Sequence, residues 1–129
     1  SEMCDNWGYH RLHEKVEKRA MQEMKHAEKL IARIIFLEGR PTVSKLKQLN
    51  IGPDVKTQLA NDLAAEHEAS KSYNSAIKEA LEVNDGVSRE LLESILQEEE
   101  EHIDWLEAQH DQIEQYGLSN YLANQAFKE

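Results

Sequence analysis

Two short phrases of this sequence place metal-binding side chains at the same spacing. Glu23 and His26 enclose the phrase "EMKH" in the first third of the chain. Glu99 and His102 enclose "EEEH" near its end. Residues three apart on a helix are neighbours on one face. Each phrase can therefore present a carboxylate and an imidazole to one point, and these donors suit iron, manganese or zinc.

The period of a helix separates Glu99 from the acidic residues beside it. An apolar stripe runs through this segment, and its members are Leu92, Ile95, Leu106 and Ile113. Glu99 and His102 complete that stripe. The other acidic residues turn away from it by about 100° or more; they are Glu98, Glu100 and Glu101. We predict that Glu99 points into the core and that the others face solvent or partners.

Two earlier segments show the same arrangement. Glu23 and His26 lie on an apolar stripe marked by Leu12, Val16, Leu30, Ile34 and Leu37. Glu66 lies on a stripe of the middle segment marked by Leu59, Leu63, Tyr73 and Ile77. Burying an unpaired carboxylate costs on the order of several kcal/mol, and carboxylates close together repel one another. The pattern therefore predicts a metal site with five ligands: Glu23, His26, Glu66, Glu99 and His102.

A single Glu-x-x-His phrase is weak evidence. Glu107 and His110 also match it, but they lie about 80° round the helix and roughly 12 Å along from the pair at Glu99. We interpret Glu107 and His110 as surface residues. The agreement of two such pairs with Glu66, all on apolar stripes, favours a metal site over solvated acidic faces.

Three long helical patterns must position these residues. They are predicted over about 9–37, 53–83 and 88–116, and a short helix follows in "LSNYLANQAF". Gly39 and Pro41 end the first pattern, Ser88 is a suitable N-cap for the third, and Gly117 ends it. We interpret residues 38–53 as a crossover, with one helical turn at most. Bundles with one long crossover have four helices, so the piece before Tyr9 is expected to be the stub of a first helix.

Composition limits the classes of function. A chain of 129 residues is enough for one domain, which we assign to 1–129. The net charge of -10 disfavours nucleic acid or an anionic membrane as a partner and suits cations. No apolar run approaches the ~20 residues of a membrane span, and we expect a cytoplasmic location. Cys4 is the one cysteine, so no intrachain disulfide forms, and an ordinary free thiol is expected.

Several separated phrases resemble the bacterioferritins, the haem-containing branch of the ferritin family. They are "EMKHAEKLIARIIFLEG", "QLNIG", "VSRELLESILQEEEEHIDWLE" and "GLSNYLANQ", in a match that runs from about Met3 to Gln125. The resemblance implies an all-α, ferritin-like four-helix bundle with one long crossover and a short C-terminal fifth helix. It also implies a hollow shell of 24 subunits, a di-iron ferroxidase site in each bundle and a mineral core.

The resemblance also assigns roles to the predicted ligands. It makes Glu23 and Glu99 the bridging carboxylates, His26 and His102 terminal ligands, and Glu66 a single carboxylate from another helix. The family binds haem b between two subunits through one Met from each.

Met24 matches this haem-binding methionine. Residues alone favour a gap-filling or surface role for Met24, whereas the resemblance favours haem ligation. Helical geometry turns Met24 about 100° from Glu23, toward a neighbouring molecule.

Two features depart from the family pattern. The family's first helix, which supplies a further Glu ligand, has no counterpart here, because the chain begins where that helix ends. Arg19 lies on the inner stripe and has no role in the pattern. We expect it to occupy space near the metal or to pair with a core carboxylate.

The function that the resemblance implies is iron storage and detoxification by a ferroxidase. Two Fe²⁺ ions are oxidised by dioxygen or peroxide, and haem carries electrons from a donor protein to the mineral when iron is released. One alternative is a metal-binding helical assembly module, shortened at its start, without ferroxidase turnover. Another is a related carboxylate-bridged oxidase that acts on organic substrates.

The remaining histidines and large aromatic residues are interpreted without catalytic roles. The histidines away from the ligand positions are expected at the surface or at interfaces; they are His10, His13 and His67. Packing roles are expected for Trp7, Trp105 and Tyr73.

Overall fold

Four helices make up almost all of the chain that the computed structural model describes, which is residues 9–41 and 54–126. They are α1 (His10–Phe36), α2 (Val55–Glu82), α3 (Gly86–Tyr116) and α4 (Leu118–Gln125). No strand occurs in these two ranges. The all-α prediction is therefore confirmed. Most of the predicted crossover lies outside the described residues, as do Cys4 and Trp7.

α1 ends at Phe36, within one residue of the predicted end. Glu38, and not Gly39, takes the left-handed conformation, with φ 66°. The backbone N–H of Glu38 donates to Ile35 O, and that of Gly39 donates to Ile34 O, both at 2.9 Å. This pair of bonds is the Schellman motif that commonly closes a helix. A Cβ at Gly39 would lie 3.0 Å from Cγ2 of Ile34, so a larger residue here would require the Ile34 side chain to shift by a few tenths of an ångström.

An aspartate side chain caps the N-terminus of both α2 and α3. Thr57 N donates to Oδ1 of Asp54 at 2.8 Å, as expected for an N-cap. The prediction that Ser88 caps α3 is wrong, because α3 already begins at Gly86. Ser88 N instead donates to Oδ1 of Asp85 at 3.1 Å. Asp85 precedes the helix and supplies the acceptor that its first turn needs.

The described residues form two compact units by their internal contacts, and each has buried apolar side chains. One unit contains residues 9–41 and 111–126, where α1 and α4 are in contact. Its buried apolar residues are Leu12, Ile113 and Tyr121. The other unit contains residues 54–110. Its buried apolar residues are Val55, Leu59, Ala80, Ile95, Ile103 and Leu106. The assignment of the whole chain to one domain stays a prediction.

The predicted stripe of α1 is buried only in part. Leu12 is buried, but Ile34 is 38% exposed and Leu37 is 53% exposed, so their assignment to the core is wrong. The stripe of α3 is more fully covered, since Ile95 and Leu106 are each only 1% exposed. Among the described helices, none is both long and apolar enough to cross a membrane.

Candidate metal centre

α1 carries the first predicted ligand pair. The ring of His26 is buried, and its Nδ1 lies 3.8 Å from Oε1 of Glu23. The side chain of Glu23 is 47% exposed, so the prediction that this carboxylate points into the core is wrong. The buried residues of this helix are Leu12, Arg19 and His26, spaced by seven. At helical geometry Glu23 lies about 60° round from His26, at the edge of this narrow stripe.

Arg19 pairs with a carboxylate, although this carboxylate is half-exposed and not in the core. Its side chain is 8% exposed, and Nη2 lies 2.5 Å from Oε1 of Glu23. Nη1 donates a hydrogen bond to Oε1 of Gln22 at 2.6 Å. Arg19 and Glu23 are four residues apart, the spacing at which oppositely charged side chains pair on a helix. This spacing could have predicted their contact from the sequence. Of the two expectations for Arg19, pairing with a carboxylate is the one that the contacts match.

α3 buries Glu99 as the periodicity predicts. Glu99 is 1% exposed, whereas Glu100 and Glu101 are exposed and Glu98 is half-buried. Burial of a carboxylate this deep in the protein is costly unless charged or hydrogen-bonding groups compensate for its lost hydration. Burial thus distinguishes Glu99 within a run of four identical residues.

His102 lies one turn after Glu99 and is half-buried. Its ring stacks on that of Trp105, with centroids 5.7 Å apart and planes 10° from parallel. The stacking restricts the orientation of the imidazole, as a ligand that must point in one direction requires. It also gives Trp105 the packing role that was expected of it.

One predicted ligand pair is brought together within α1. Oε1 of Glu23 lies 3.8 Å from Nδ1 of the buried His26, and a carboxylate with an imidazole is a donor set that suits iron, manganese or zinc. Glu99 is buried in the other unit, on the face of α3 that the helical period assigns to the core. Its role as a metal ligand stays a prediction.

The two remaining predicted ligands lie on α2 and α3. Glu66 on α2 and His102 on α3 are both half-buried. Their roles as metal ligands stay predictions.

Met24 follows Glu23 but lies on a different face of α1. It is 64% exposed, as its turn of about 100° from Glu23 predicts. Met24 is therefore accessible to a neighbouring molecule. Haem ligation by Met24 stays a prediction.

Only some of the remaining residues named in the sequence analysis are exposed. Glu107 and His110 are exposed, and so is His67, as surface residues should be. His13 is half-buried, and its Nε2 lies 3.2 Å from Oε2 of Glu17. His10 and Tyr73 are half-buried.

Comparison with known proteins gives a consistent result. A family model described as the ferritin-like domain matches residues 1–116. A protein named bacterioferritin from Rhodobacter capsulatus is 42% identical over 117 residues, which cover 91% of this chain and 73% of that protein. The bacterioferritin of Brucella melitensis is 40% identical over 119 residues, covering 92% of this chain and 74% of its own length. That of Mycobacterium avium is 37% identical over 123 residues, with coverages of 95% and 77%.

Proposed function

The chain belongs to the ferritin-like family, and from this premise we propose that it oxidises Fe²⁺ at a di-iron site and stores the Fe³⁺ as a mineral. Family membership and the relatives named bacterioferritin support iron storage as the general role. The observation that carries the ferroxidase proposal is the burial of Glu99, a carboxylate that is 1% exposed within a Glu-x-x-His phrase.

The proposed ligand set suits iron as the substrate. Glu23, Glu66 and Glu99 would hold the two Fe²⁺ ions through carboxylate oxygens, and His26 and His102 would hold them through imidazole nitrogens. Anionic oxygen donors stabilise Fe³⁺ more than Fe²⁺ because the attraction grows with the charge of the ion. The protein thereby lowers the free energy of the oxidised product.

The oxidation requires an electron acceptor, which we propose is dioxygen or peroxide. Two Fe²⁺ ions each give one electron to dioxygen, which also takes up two protons and becomes hydrogen peroxide. With peroxide as the oxidant, the same two electrons and two protons yield two water molecules. Placing two metals side by side lets both electrons leave toward one acceptor. The resulting Fe³⁺ then moves to the mineral.

We propose that haem b is bound through Met24 of two subunits. The exposure of Met24, at 64%, supports contact with a partner copy. When bound, the haem supplies a one-electron carrier between a donor protein and the stored mineral. Reduction of the mineral to Fe²⁺ would release the iron.

We propose that the assembly is a hollow shell of 24 copies, formed from haem-bridged dimers, in the cytoplasm. Exposed apolar side chains on α1 support an interface; they are Met21, Met24, Ile31, Ile35 and Phe36. A contiguous apolar surface on a protein in water commonly marks an interface.

The ferroxidase proposal is tested by adding Fe²⁺ without oxygen and then admitting air. We expect rapid oxidation of about two irons per subunit, followed by formation of a mineral. The variant Glu99→Gln should oxidise Fe²⁺ at least about tenfold more slowly, because it removes a buried anionic ligand. The matched control is Glu107→Gln, an exposed residue of the same helix, which should oxidise iron at the wild-type rate.

Two results would contradict the proposal. One is equal rates for the wild type and Glu99→Gln. The other is a folded oligomer that does not accelerate iron oxidation at all, which would favour a helical assembly module without turnover.

A further inference from the structure

Arg19 places a permanent positive charge on a carboxylate of the candidate metal centre. Its guanidinium contacts Oε1 of Glu23 at 2.5 Å, and the Arg19 side chain is 8% exposed. A second nitrogen, Nη1, donates to Oε1 of Gln22 at 2.6 Å. The guanidinium is thus fixed by two neighbouring side chains on one turn of α1.

The contact involves the same carboxylate oxygen that faces His26. Oε1 of Glu23 lies 2.5 Å from Arg19 Nη2 and 3.8 Å from His26 Nδ1. A cation held by both Glu23 and His26 must approach this side of the carboxylate. The guanidinium of arginine keeps its charge throughout the physiological pH range. It therefore cannot leave the position by losing its charge, and a cation that binds Oε1 must share this oxygen with the guanidinium or displace it.

A second arginine in the chain shows how different this pair is from an ordinary surface pair. Arg89 Nε lies 2.9 Å from Oε1 of Glu93, at the same i,i+4 spacing, but these side chains are 46% and 53% exposed. Exposed pairs contribute little because water screens them. The pair at Arg19 is partly shielded from water, so separating its charges costs more.

From these contacts we propose that Arg19 is a resident counter-cation that competes with divalent metal for Glu23. It neutralises Glu23 while the centre holds no metal, and it opposes a cation that approaches Oε1. Arg19 therefore weakens the affinity of the centre for divalent cations and stabilises the metal-free protein. This inference rests on the proposed metal centre.

The test is a binding titration of the full chain with Mn²⁺ alone, followed by calorimetry. We expect Arg19→Gln to lower the dissociation constant by about tenfold, because the cation no longer displaces a charge-assisted hydrogen bond. Arg19→Lys should lie between the wild type and Arg19→Gln, since an ammonium ion cannot contact two side chains in the manner of a guanidinium. Arg89→Gln is the matched control and should stay within about twofold of wild type.

Thermal unfolding gives a second readout that does not depend on activity. In a chelator, Arg19→Gln should unfold at a lower temperature than wild type, because Glu23 loses its partner. Saturating Mn²⁺ should raise the unfolding temperature of Arg19→Gln more than that of wild type, since tighter binding to the folded state stabilises it more. Equal gains for the two proteins would contradict the competition.

A double-mutant cycle locates the effect at Glu23. In the Glu23→Gln background, the substitution Arg19→Gln should no longer tighten Mn²⁺ binding, because the contested carboxylate is gone. Tightening of equal size in that background would overturn the proposal.

The failure of this inference is distinguishable from the failure of the metal centre. If wild type binds Mn²⁺ and Arg19→Gln binds it equally or more weakly, Arg19 supports the centre or does not affect it, and the competition is wrong. If neither protein binds Mn²⁺, the metal centre and the competition are both wrong.

Discussion

At the scale of single residues, burial gives chemically identical side chains different properties. Glu99 is 1% exposed, while the adjacent Glu100 and Glu101 are in contact with solvent. Arg19 and Arg89 each pair with a glutamate four residues on, yet only the first pair includes a buried partner. Charge and spacing are the same in each comparison. The surroundings of each glutamate therefore decide how strongly its carboxylate interacts with a cation.

The surroundings of Asp62 change the pKa of its carboxyl group, and this change predicts how stability depends on pH. Burial raises the pKa of Asp62 above its ordinary 3.8, and the hydrogen bond from Gln58 opposes that rise. Its contribution to stability is therefore present below pH 3.8 and is lost as the pH rises through the raised pKa. Asp62→Asn keeps an oxygen that can accept from Gln58 Nε2, which lies 2.9 Å from Asp62 Oδ1. We expect this variant to unfold at a higher temperature than wild type at pH 7, with the difference shrinking in acid.

Asp54 is the matched control, because its protonation should have the opposite effect. The backbone N–H of Thr57 lowers the pKa of Asp54 below 3.8. Its contribution to stability is present above pH 3.8 and is lost as the pH falls through the lowered pKa. Asp54→Ala should therefore unfold at a lower temperature at pH 7, again with a smaller difference in acid. Unfolding followed by circular dichroism across pH 3–7 measures both trends, and trends of the same sign would refute the assignment.

At the scale of helices, the ends of α1 and α2 are closed by residues in the left-handed conformation. Glu38 has φ 66° and Asn84 has φ 58°. Asparagine tolerates this conformation, whereas glutamate is strained in it. Both helices end in the same pair of backbone hydrogen bonds, from Glu38 and Gly39 in one and from Asn84 and Asp85 in the other. The backbone strain at Glu38 is therefore greater than that at the equivalent position, Asn84.

This inequality predicts that Glu38→Gly stabilises the protein. Glycine relieves roughly 1–2 kcal/mol of left-handed strain and costs about 0.5–1 kcal/mol in the entropy of the unfolded chain. The free energy of unfolding should thus rise by about 0.5–1 kcal/mol. Asn84→Gly is the control and should gain less. Urea denaturation measures both values, and a larger gain at Asn84 would show that strain is not the cause.

At the scale of the whole molecule, apolar exposure and net charge act against each other in assembly. The chain has a net charge of -10, which makes identical copies repel. The exposed apolar side chains of α1 include Ile35 at 59% and Phe36 at 72%. Burying such side chains between copies contributes about 25 cal/mol for each Å² of apolar surface. Assembly is favoured where this contribution exceeds the repulsion.

Substitution of Ile35 tests whether this surface of α1 is an interface. Ile35→Lys should reduce the mass of the assembly measured by light scattering, because a buried unpaired ammonium ion opposes association. Gln115→Lys introduces the same charge at another exposed position and should leave the mass unchanged. Salt should not restore the assembly of Ile35→Lys, since desolvation and not long-range repulsion is the cause. An unchanged mass for Ile35→Lys would exclude this surface from the interface.

The sequence by itself determined the features that depend on local spacing. The helical period set the three long helices to within a few residues and put Glu99 on the same face as Ile95 and Leu106. Spacing also paired Glu23 with His26. These features follow from 3.6 residues per turn and need no information from another part of the chain.

Only the tertiary structure decided which part of each predicted face is covered. It left Glu23 half-exposed and Ile34 exposed, although both share a stripe with the buried His26. It also showed that the buried Arg19 contacts Glu23. The helical period predicts which side chains point in the same direction. Burial depends on what packs against that direction, which is a property of the folded chain and not of any one segment.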